Sequence, residues 1–351
     1  MARIQARALA PAGLLYGAAV RARFALTRPY RSRLPVICVG GFTMGGAGKT
    51  PLAVAVARLL TELGARFAFL TRGYGGEEAG PHLVDPSRDA AARVGDEPLL
   101  LAQSGPVAVA RRRPDGARLI ETMGVDAIVM DDGMQNPTLH KDLTIAAVDG
   151  GAGLGNGRVF PAGPLRAGLG FQLGRADAAV IIGDGEPGDL VERRLMGQIP
   201  ALRARIVTQG DASWLAEQEV VAFAGIGRPE KFFETLKELG ARLKGAASFP
   251  DHHVFTEDDA IGLLARASAA AAMLVTTAKD KARLGTTGPW APLGSARGAL
   301  AELAARSRAV DIALKFREGD AARLRTLLSQ TLAESERRAE QAGTRRTKGG
   351  R

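Results

Sequence analysis

Four apolar residues, Val36-Ile37-Cys38-Val39, run into a glycine cluster, then into Gly48-Lys49-Thr50-Pro51 and a long apolar stretch. A buried strand, a glycine-rich turn and a helix in immediate succession leave few folds open, because the helix must pack back on the sheet that holds the strand. In such a turn the backbone N–H groups point inward, held by glycines that tolerate positive φ. The helix N-terminus adds its partial positive charge. The residues Thr43, Met44, Gly45, Gly46, Ala47, Gly48, Lys49, Thr50 and Pro51 are therefore the expected cradle for a nucleotide. Lys49 is placed to reach the β- and γ-phosphates of ATP, and Thr50 to hold Mg²⁺. Pro51 is tolerated because the first helical turn needs no N–H there. Thr43 stands where the first glycine of such loops usually stands, so the loop must be entered by a different bend. The competing reading is a plain glycine-rich turn with an exposed lysine.

Other short apolar strands recur at Phe67–Leu70, Ala127–Met130, Thr144–Val148 and Ala178–Ile182, with helical patterns between several of them. The segment Thr50–Leu63 is apolar almost all round, as a helix buried on a sheet must be. This alternation predicts an α/β fold of the P-loop NTPase type, a mostly parallel sheet with helices on both faces. The pattern weakens around 184–218, and a second series begins with Val220–Phe223, a helix from about Pro229 to Leu239, Leu274–Thr277 and Val310–Leu314. We therefore expect a core domain at 34–210 and a smaller α/β domain at 211–330. The tail, 331–351, is polar and rich in Arg and Lys, and its composition reads as disordered.

The chain carries 47 basic and 37 acidic residues, a formal charge of +10. Such a balance suits nucleic acid, anionic lipid or a phosphorylated substrate. Aromatics are only 5% and are not interleaved with basic residues, so no nucleic-acid partner is expected. One cysteine, Cys38, excludes a disulfide framework and fits a reducing compartment. Residues 1–33 contain Arg3, Arg7, Arg21, Arg23, Arg28, Arg31 and Arg33 and no acidic residue. The apolar stretch Ala8–Val20 between them is too short to span a bilayer, which takes about 20 residues. A signal peptide, a packing helix and an interfacial segment facing anionic headgroups all fit it.

A second buried strand ends in Asp131-Asp132, at the tip that faces the ligand crevice of a parallel sheet. Either acid is a candidate Mg²⁺ partner of the phosphate loop. The chain here resembles the tetraacyldisaccharide 4′-kinases of lipid A biosynthesis. The resemblance runs from about residue 10 to 320 and rests on eight motifs in order: "GGAGKTP", "TRGYGG" (71–76), "VGDEPLL" (94–100), "DDGMQN" (131–136), "GNGRVFPAGPLR" (155–166), "GIGRPEKFF" (225–233), "FPDHH" (249–253) and "TTAKDKARL" (276–284). The family also has Thr or Ser ahead of the glycine pair, as at Thr43. Ala167 departs from the acid that usually follows GPLR. The resemblance implies transfer of the γ-phosphoryl of ATP to the 4′-hydroxyl of a tetraacylated glucosamine disaccharide 1-phosphate, giving lipid IVA. It implies two α/β/α domains joined by a β linker, with the site in the cleft. It also implies work at the cytosolic face of the bacterial inner membrane, on an anionic lipid in an anionic membrane. A monomer is expected.

Residue by residue, Asp96 in VGDE matches the base proposed for the sugar hydroxyl, although an Asp ahead of an apolar helix also serves as an N-cap. His252 matches the partner of that Asp. His253 is expected to be structural, since no zinc-type ligand set can be drawn from four His and one Cys. Arg72 and Tyr74 follow a strand tip and are candidates for acceptor sugar or phosphate, as is Arg166, because arginine binds phosphate bidentately. The roles of Lys279 and Asp280 stay open. A switch ATPase that couples hydrolysis to assembly is the alternative. Met44 disfavours it, because some such ATPases carry a second lysine there.

Overall fold

The computed structural model describes residues 6–251, 253–284 and 298–348, with 342–348 as backbone only. Among the described residues, thirteen strands form two sheets. The first sheet takes β1 (Val36–Gly41), β2 (Phe67–Thr71), β3 (His82–Leu83), β4 (Val107–Val109), β5 (Ala127–Asp131), β6 (Leu143–Asp149), β7 (Ala178–Ile182) and β8 (Ala201–Thr208). The second holds β9 (Glu219–Ala224), β10 (Arg242–Ser248), β11 (Met273–Thr277) and β12 (Ser307–Val310), after which β13 (Ile312–Phe316) returns to the first. The nine-stranded order is β13-β8-β7-β6-β1-β5-β2-β4-β3, and the four-stranded order is β10-β9-β11-β12. From β8 to β4 the strands are parallel, and β3 and β13 close the edges antiparallel.

Every residue of β1 is buried. A continuous apolar run with no alternation is what a strand covered on both faces requires. The helix Lys49–Glu62 covers one face through Leu52, Ala53, Val56, Leu59 and Leu60, and its small residues let it lie close to the sheet. A second apolar layer, with Cys38, Leu70, Met130 and Ile181, fills the other face. The chain leaves β1 toward β5 and β2 on one side, and β6 lies on the other. The crevice at the carboxyl ends of β1, β5 and β6 is thus a topological switch point, where parallel sheets bind ligands.

Two expectations about the C-terminal part differ from the structure. The run Val310–Leu314, read as one strand, is broken at Asp311 into β12 of the second sheet and β13 of the first. β13 lies antiparallel beside β8, with Ile312 opposite Thr208, so the outgoing and returning crossings are hydrogen-bonded to one another. Residues 307–310 therefore pair within the second sheet, and residues 312–316 within the first. The segment 331–351, read as disordered, is helical as far as it is described, within one helix Asp320–Lys348. Leu324 and Leu328 from its first turns are fully buried in the same core as Leu60. Asp320 accepts a hydrogen bond from the Arg203 amide at 3.0 Å, and Arg338 bonds Asp142 at 2.7 Å. Polar composition alone suggested disorder, but Ala, Glu, Gln and Arg are strong helix formers and the anchored first turns supply the nucleus.

The N-terminal helix, Ala10–Leu26, packs through Gly13, which a Cβ would drive to 2.7 Å from the Val159 carbonyl, and through Phe24 edge-on to Phe171. Its other side exposes Leu14 at 75%, Leu15 at 74% and Leu26 at 85%. Among the described residues no helix is long and apolar enough to cross a membrane.

Candidate active site

The phosphate loop leaves β1 at Gly41 and turns through Gly45 (φ 100°) and Gly48 (φ 80°), both left-handed. Such φ values favour glycine, and a Cβ on Gly48 would also meet Ile182 Cδ1 at 2.7 Å. The entry at Thr43 is held from outside. Met44 N donates to the Pro164 carbonyl at 2.8 Å, Arg166 N to the Phe42 carbonyl at 2.9 Å, and Arg166 Nε to the Thr43 carbonyl at 3.0 Å. The GPLR segment is thus a strap across the loop entry at Thr43.

Lys49 folds back over the loop, donating to the Gly45 carbonyl at 3.2 Å and lying 3.5 Å from Asp132 Oδ2. Thr50 Oγ1 meets Asp131 Oδ2 at 3.4 Å. Asp131 ends β5 in register with Val39 of β1, 1% exposed, and its Oδ1 has no hydrogen-bond partner. Burial pushes this carboxyl up to about 7, with the like charges of Glu97 and Asp132 adding and Lys49 opposing. A buried carboxylate oxygen left without a donor, beside the loop threonine, is a fit for a hard divalent cation such as Mg²⁺. Asp132, at φ 45°, takes a two-pronged grip from Arg166 at 2.8 and 3.1 Å. Burial favours its neutral form, but Lys49 and Arg166 outweigh that and hold it below the ordinary carboxylate range. Among the described residues no cluster of three or more His, Cys, Asp or Glu suggests an all-protein metal nest.

Arg166 therefore serves the phosphate loop and Asp132, with a further bond to Gln135 at 3.2 Å. The sequence expectation had put it toward the acceptor. Arg72 and Tyr74 sit on an exposed turn that packs tightly on the VGDE turn. A Cβ on Gly73 would meet the Val94 carbonyl at 2.8 Å, and one on Gly95 the Tyr74 carbonyl at 2.6 Å. These contacts bring Arg72, Tyr74 and Asp96 to one rim.

Asp96 opens the helix Asp96–Ala102 but is not its N-cap, which is Gly95 at φ 94°. It is 5% exposed, and its Oδ1 accepts from the Glu97 amide at 2.9 Å. Its Oδ2 faces the second domain, where Arg283 donates through Nε at 2.8 Å and Nη2 at 2.5 Å. Lys279 Nζ lies 3.8 Å from the same carboxylate, 3.9 Å from Glu97 and 3.7 Å from Asp251. Asp280 is wholly buried, accepting from Gly225 N and Thr277 Oγ1 at 3.1 and 2.7 Å. His252 lies outside the described residues. His253 is stacked on Phe249, with its Nε2 2.9 Å from Asp259.

Two residues escaped the sequence reading. Arg283 follows Asp280 by three positions, the helical spacing that pairs side chains, and that was its one available signal. Arg113, the third of Arg111-Arg112-Arg113, is 3% exposed and bonds the Ala110 carbonyl at 2.7 Å. Desolvation pulls it down to about 10, against the attraction of Asp131. Nothing in a run of three arginines says which one turns inward.

The family model described as tetraacyldisaccharide-1-P 4′-kinase matches residues 5–330. A tetraacyldisaccharide 4′-kinase of Methylorubrum extorquens (strain PA1) is 55% identical over 284 residues, 80% of this chain and 85% of the relative. That of Methylobacterium nodulans is 48% identical over 329 residues, 93% of this chain and 92% of the relative. Among solved structures, LpxK from Aquifex aeolicus in complex with ATP aligns at a TM-score of 0.71 and 25% identity, across 93% of this chain and 99% of that one.

Proposed function

The chain belongs to the tetraacyldisaccharide 4′-kinase family, and from that premise we infer that it transfers the γ-phosphoryl of ATP to the 4′-hydroxyl of tetraacyldisaccharide 1-phosphate. The observation that carries the reading is the pairing of Thr50 with the buried acid Asp131 and of Lys49 with Asp132, with Glu97, the neighbour of Asp96, near enough for its charge to act on Asp131. The loop amides and Lys49 hold the β- and γ-phosphates in line. Thr50 and Asp131 would hold Mg²⁺, which supplies charge neutralisation at the phosphate oxygens when bound. Asp96 accepts the proton of the 4′-hydroxyl as that oxygen bonds to the γ-phosphorus. The bond from phosphorus to the β,γ-bridging oxygen breaks, and ADP departs with the electron pair. His252 is the partner proposed for Asp96, and Arg72 and Tyr74 are proposed to line the acceptor side. A base in such a loose transition state contributes about 10²–10⁴-fold, and the rest is positioning and charge.

The membrane reading belongs to the same proposal. The exposed leucines of the N-terminal helix, next to Arg21 and Arg23, suit a helix lying in the headgroup layer of an anionic membrane, on the cytosolic side where ATP is found. A peripheral monomer meets its lipid acceptor there. The switch-ATPase alternative is not favoured. The deciding assay incubates the full chain with labelled ATP and the disaccharide 1-phosphate lipid in detergent micelles. Label should pass to lipid, and ATP should be spared without it. Equal ATP consumption with and without the lipid would overturn the reading.

A further inference from the structure

Arg283 is built as a bridge. Its Nη1 donates to the Gly225 carbonyl and to Asp280 Oδ1, both at 2.7 Å, inside the second domain. Its Nε and Nη2 donate to Asp96 of the first domain. The side chain is 7% exposed, and Asp280, its anchor, is itself fixed by the Gly225 amide and Thr277. A planar guanidinium gripped on one edge by its own domain can point its other edge in only one direction. A flexible ammonium such as Lys279, at 3.8 Å, imposes no such direction. A second ion pair spans the two domains, from Arg228 and Lys231 to Asp149 at the end of β6, but it is more exposed and touches no candidate catalytic group.

We propose that Arg283 is a positioning residue of the transfer reaction: it fixes the orientation of the Asp96 carboxylate, and does so only when the second domain is docked on the first. The inference rests on the reading of Asp96 as the base that takes the acceptor proton. It goes beyond that reading by making the competence of the base conditional on a contact across the cleft. With Oδ2 held by Arg283 and Oδ1 by the Glu97 amide, the carboxylate plane is set before the acceptor arrives. With the domains apart, Asp96 loses the Arg283 fork that sets its direction. ATP bound in the first domain alone then meets an unaligned base, which limits wasteful hydrolysis.

The test is a double-mutant cycle on kcat with the lipid acceptor, with the KM for ATP measured alongside. The variants are Arg283→Met, Arg283→Lys, Asp96→Asn and the pair Arg283→Met/Asp96→Asn. Arg283→Met should lower kcat by about 30-fold or more and leave the KM for ATP within about twofold. Arg283→Lys, which keeps the charge and avoids a bare Asp96–Asp280 cluster, should fold as wild type and recover only part of that loss, because it lacks the fork. In the Asp96→Asn background, Arg283→Met should cost no more than about threefold, since the two act as one unit. Arg228→Met, which removes the arginine from the Asp149 contact between the domains, should instead multiply its effect with that of Asp96→Asn. The same cost of Arg283→Met in both backgrounds, or full rescue by lysine, overturns the proposal while leaving Asp96 as base. Near-normal kcat for Asp96→Asn overturns the base reading itself.

Discussion

Asp131 is expected to be costly to the free protein and needed by the reaction. The perturbation is Asp131→Asn, in protein free of nucleotide and metal. The carboxyl is displaced from 3.8 to about 7, chiefly by burial. At about 1.4 kcal/mol per pH unit, an ionised Asp131 above pH 7 costs the fold up to about 4 kcal/mol. An asparagine removes that cost but must find partners for its own amide in the same dry place, so a gain of about half, roughly 2 kcal/mol, is expected. The sign follows from proton counting. Below about pH 4 both folded and unfolded Asp131 are protonated and the penalty vanishes. As pH rises toward 7 the unfolded chain has released its proton and the folded chain has not, so wild-type stability falls across that window. Urea unfolding at about pH 8 and about pH 5 should therefore show the asparagine variant ahead at the first and its lead much reduced at the second. Mg²⁺ with ATP should restore stability to wild type and add little to the variant, which should be inactive in transfer. An asparagine variant no more stable than wild type at the higher pH, or one whose lead does not change with pH, would refute the reasoning.

Lys49→Ala should abolish transfer, by at least about 10³-fold in kcat, because the γ-phosphoryl loses charge stabilisation; near-normal turnover would place the site elsewhere. Arg166→Lys should raise the KM for ATP by about tenfold while leaving the acceptor KM unchanged, since its fork grips Asp132 and the loop entry; a rise in the acceptor KM alone would return Arg166 to the acceptor side. Replacing the exposed Leu14 and Leu15 by glutamate should release the protein from anionic vesicles without changing the KM for ATP, and raised salt should partly mimic it; unchanged vesicle binding would make the helix a packing element only.

The phosphate loop was legible because each part has a local cause: glycine where φ is positive, lysine after the last glycine, apolar strand before and apolar helix after. Asp131-Asp132 was legible for the same reason, as acids ending a buried strand. The return of the chain to the first sheet was not. "RAVDIALKF" carries one nearly continuous strand pattern across residues 308–316, and only the pairing of Ile312 with Thr208 separates β13 from β12. Pairing with a distant strand leaves little local mark. The tail misled for a related reason: its polar half is helical as a continuation of turns anchored by Leu324 and Leu328, and composition does not register an anchor upstream. Arg283 was hidden because its importance lies in a partner 187 positions away.

The missing first glycine of the phosphate loop has a structural counterpart in Arg166, which joins two halves of the site. Through Nε it holds the Thr43 carbonyl at the loop entry, and through Nη1 and Nη2 it holds Asp132 beyond β5. Asp132 in turn faces Lys49, which donates to the Gly45 carbonyl of the same loop. The result is a closed circuit of charge-assisted contacts from loop entry to loop lysine, passing through the acid next to the proposed cation site. A glycine in place of Thr43 would let the entry bend freely; the strap makes one bend the favoured one at the cost of an arginine and an aspartate. The departure at Ala167 does not break this circuit. Its side chain is buried and its carbonyl accepts from Gln172 Nε2 at 2.8 Å, while Gln172 Nε2 also reaches the Phe42 carbonyl at 3.1 Å. The hydrogen bond that residue 167 gives the strap is accepted by its backbone carbonyl. A substitution that loosens the loop entry should consequently loosen Asp132 as well, and the reverse.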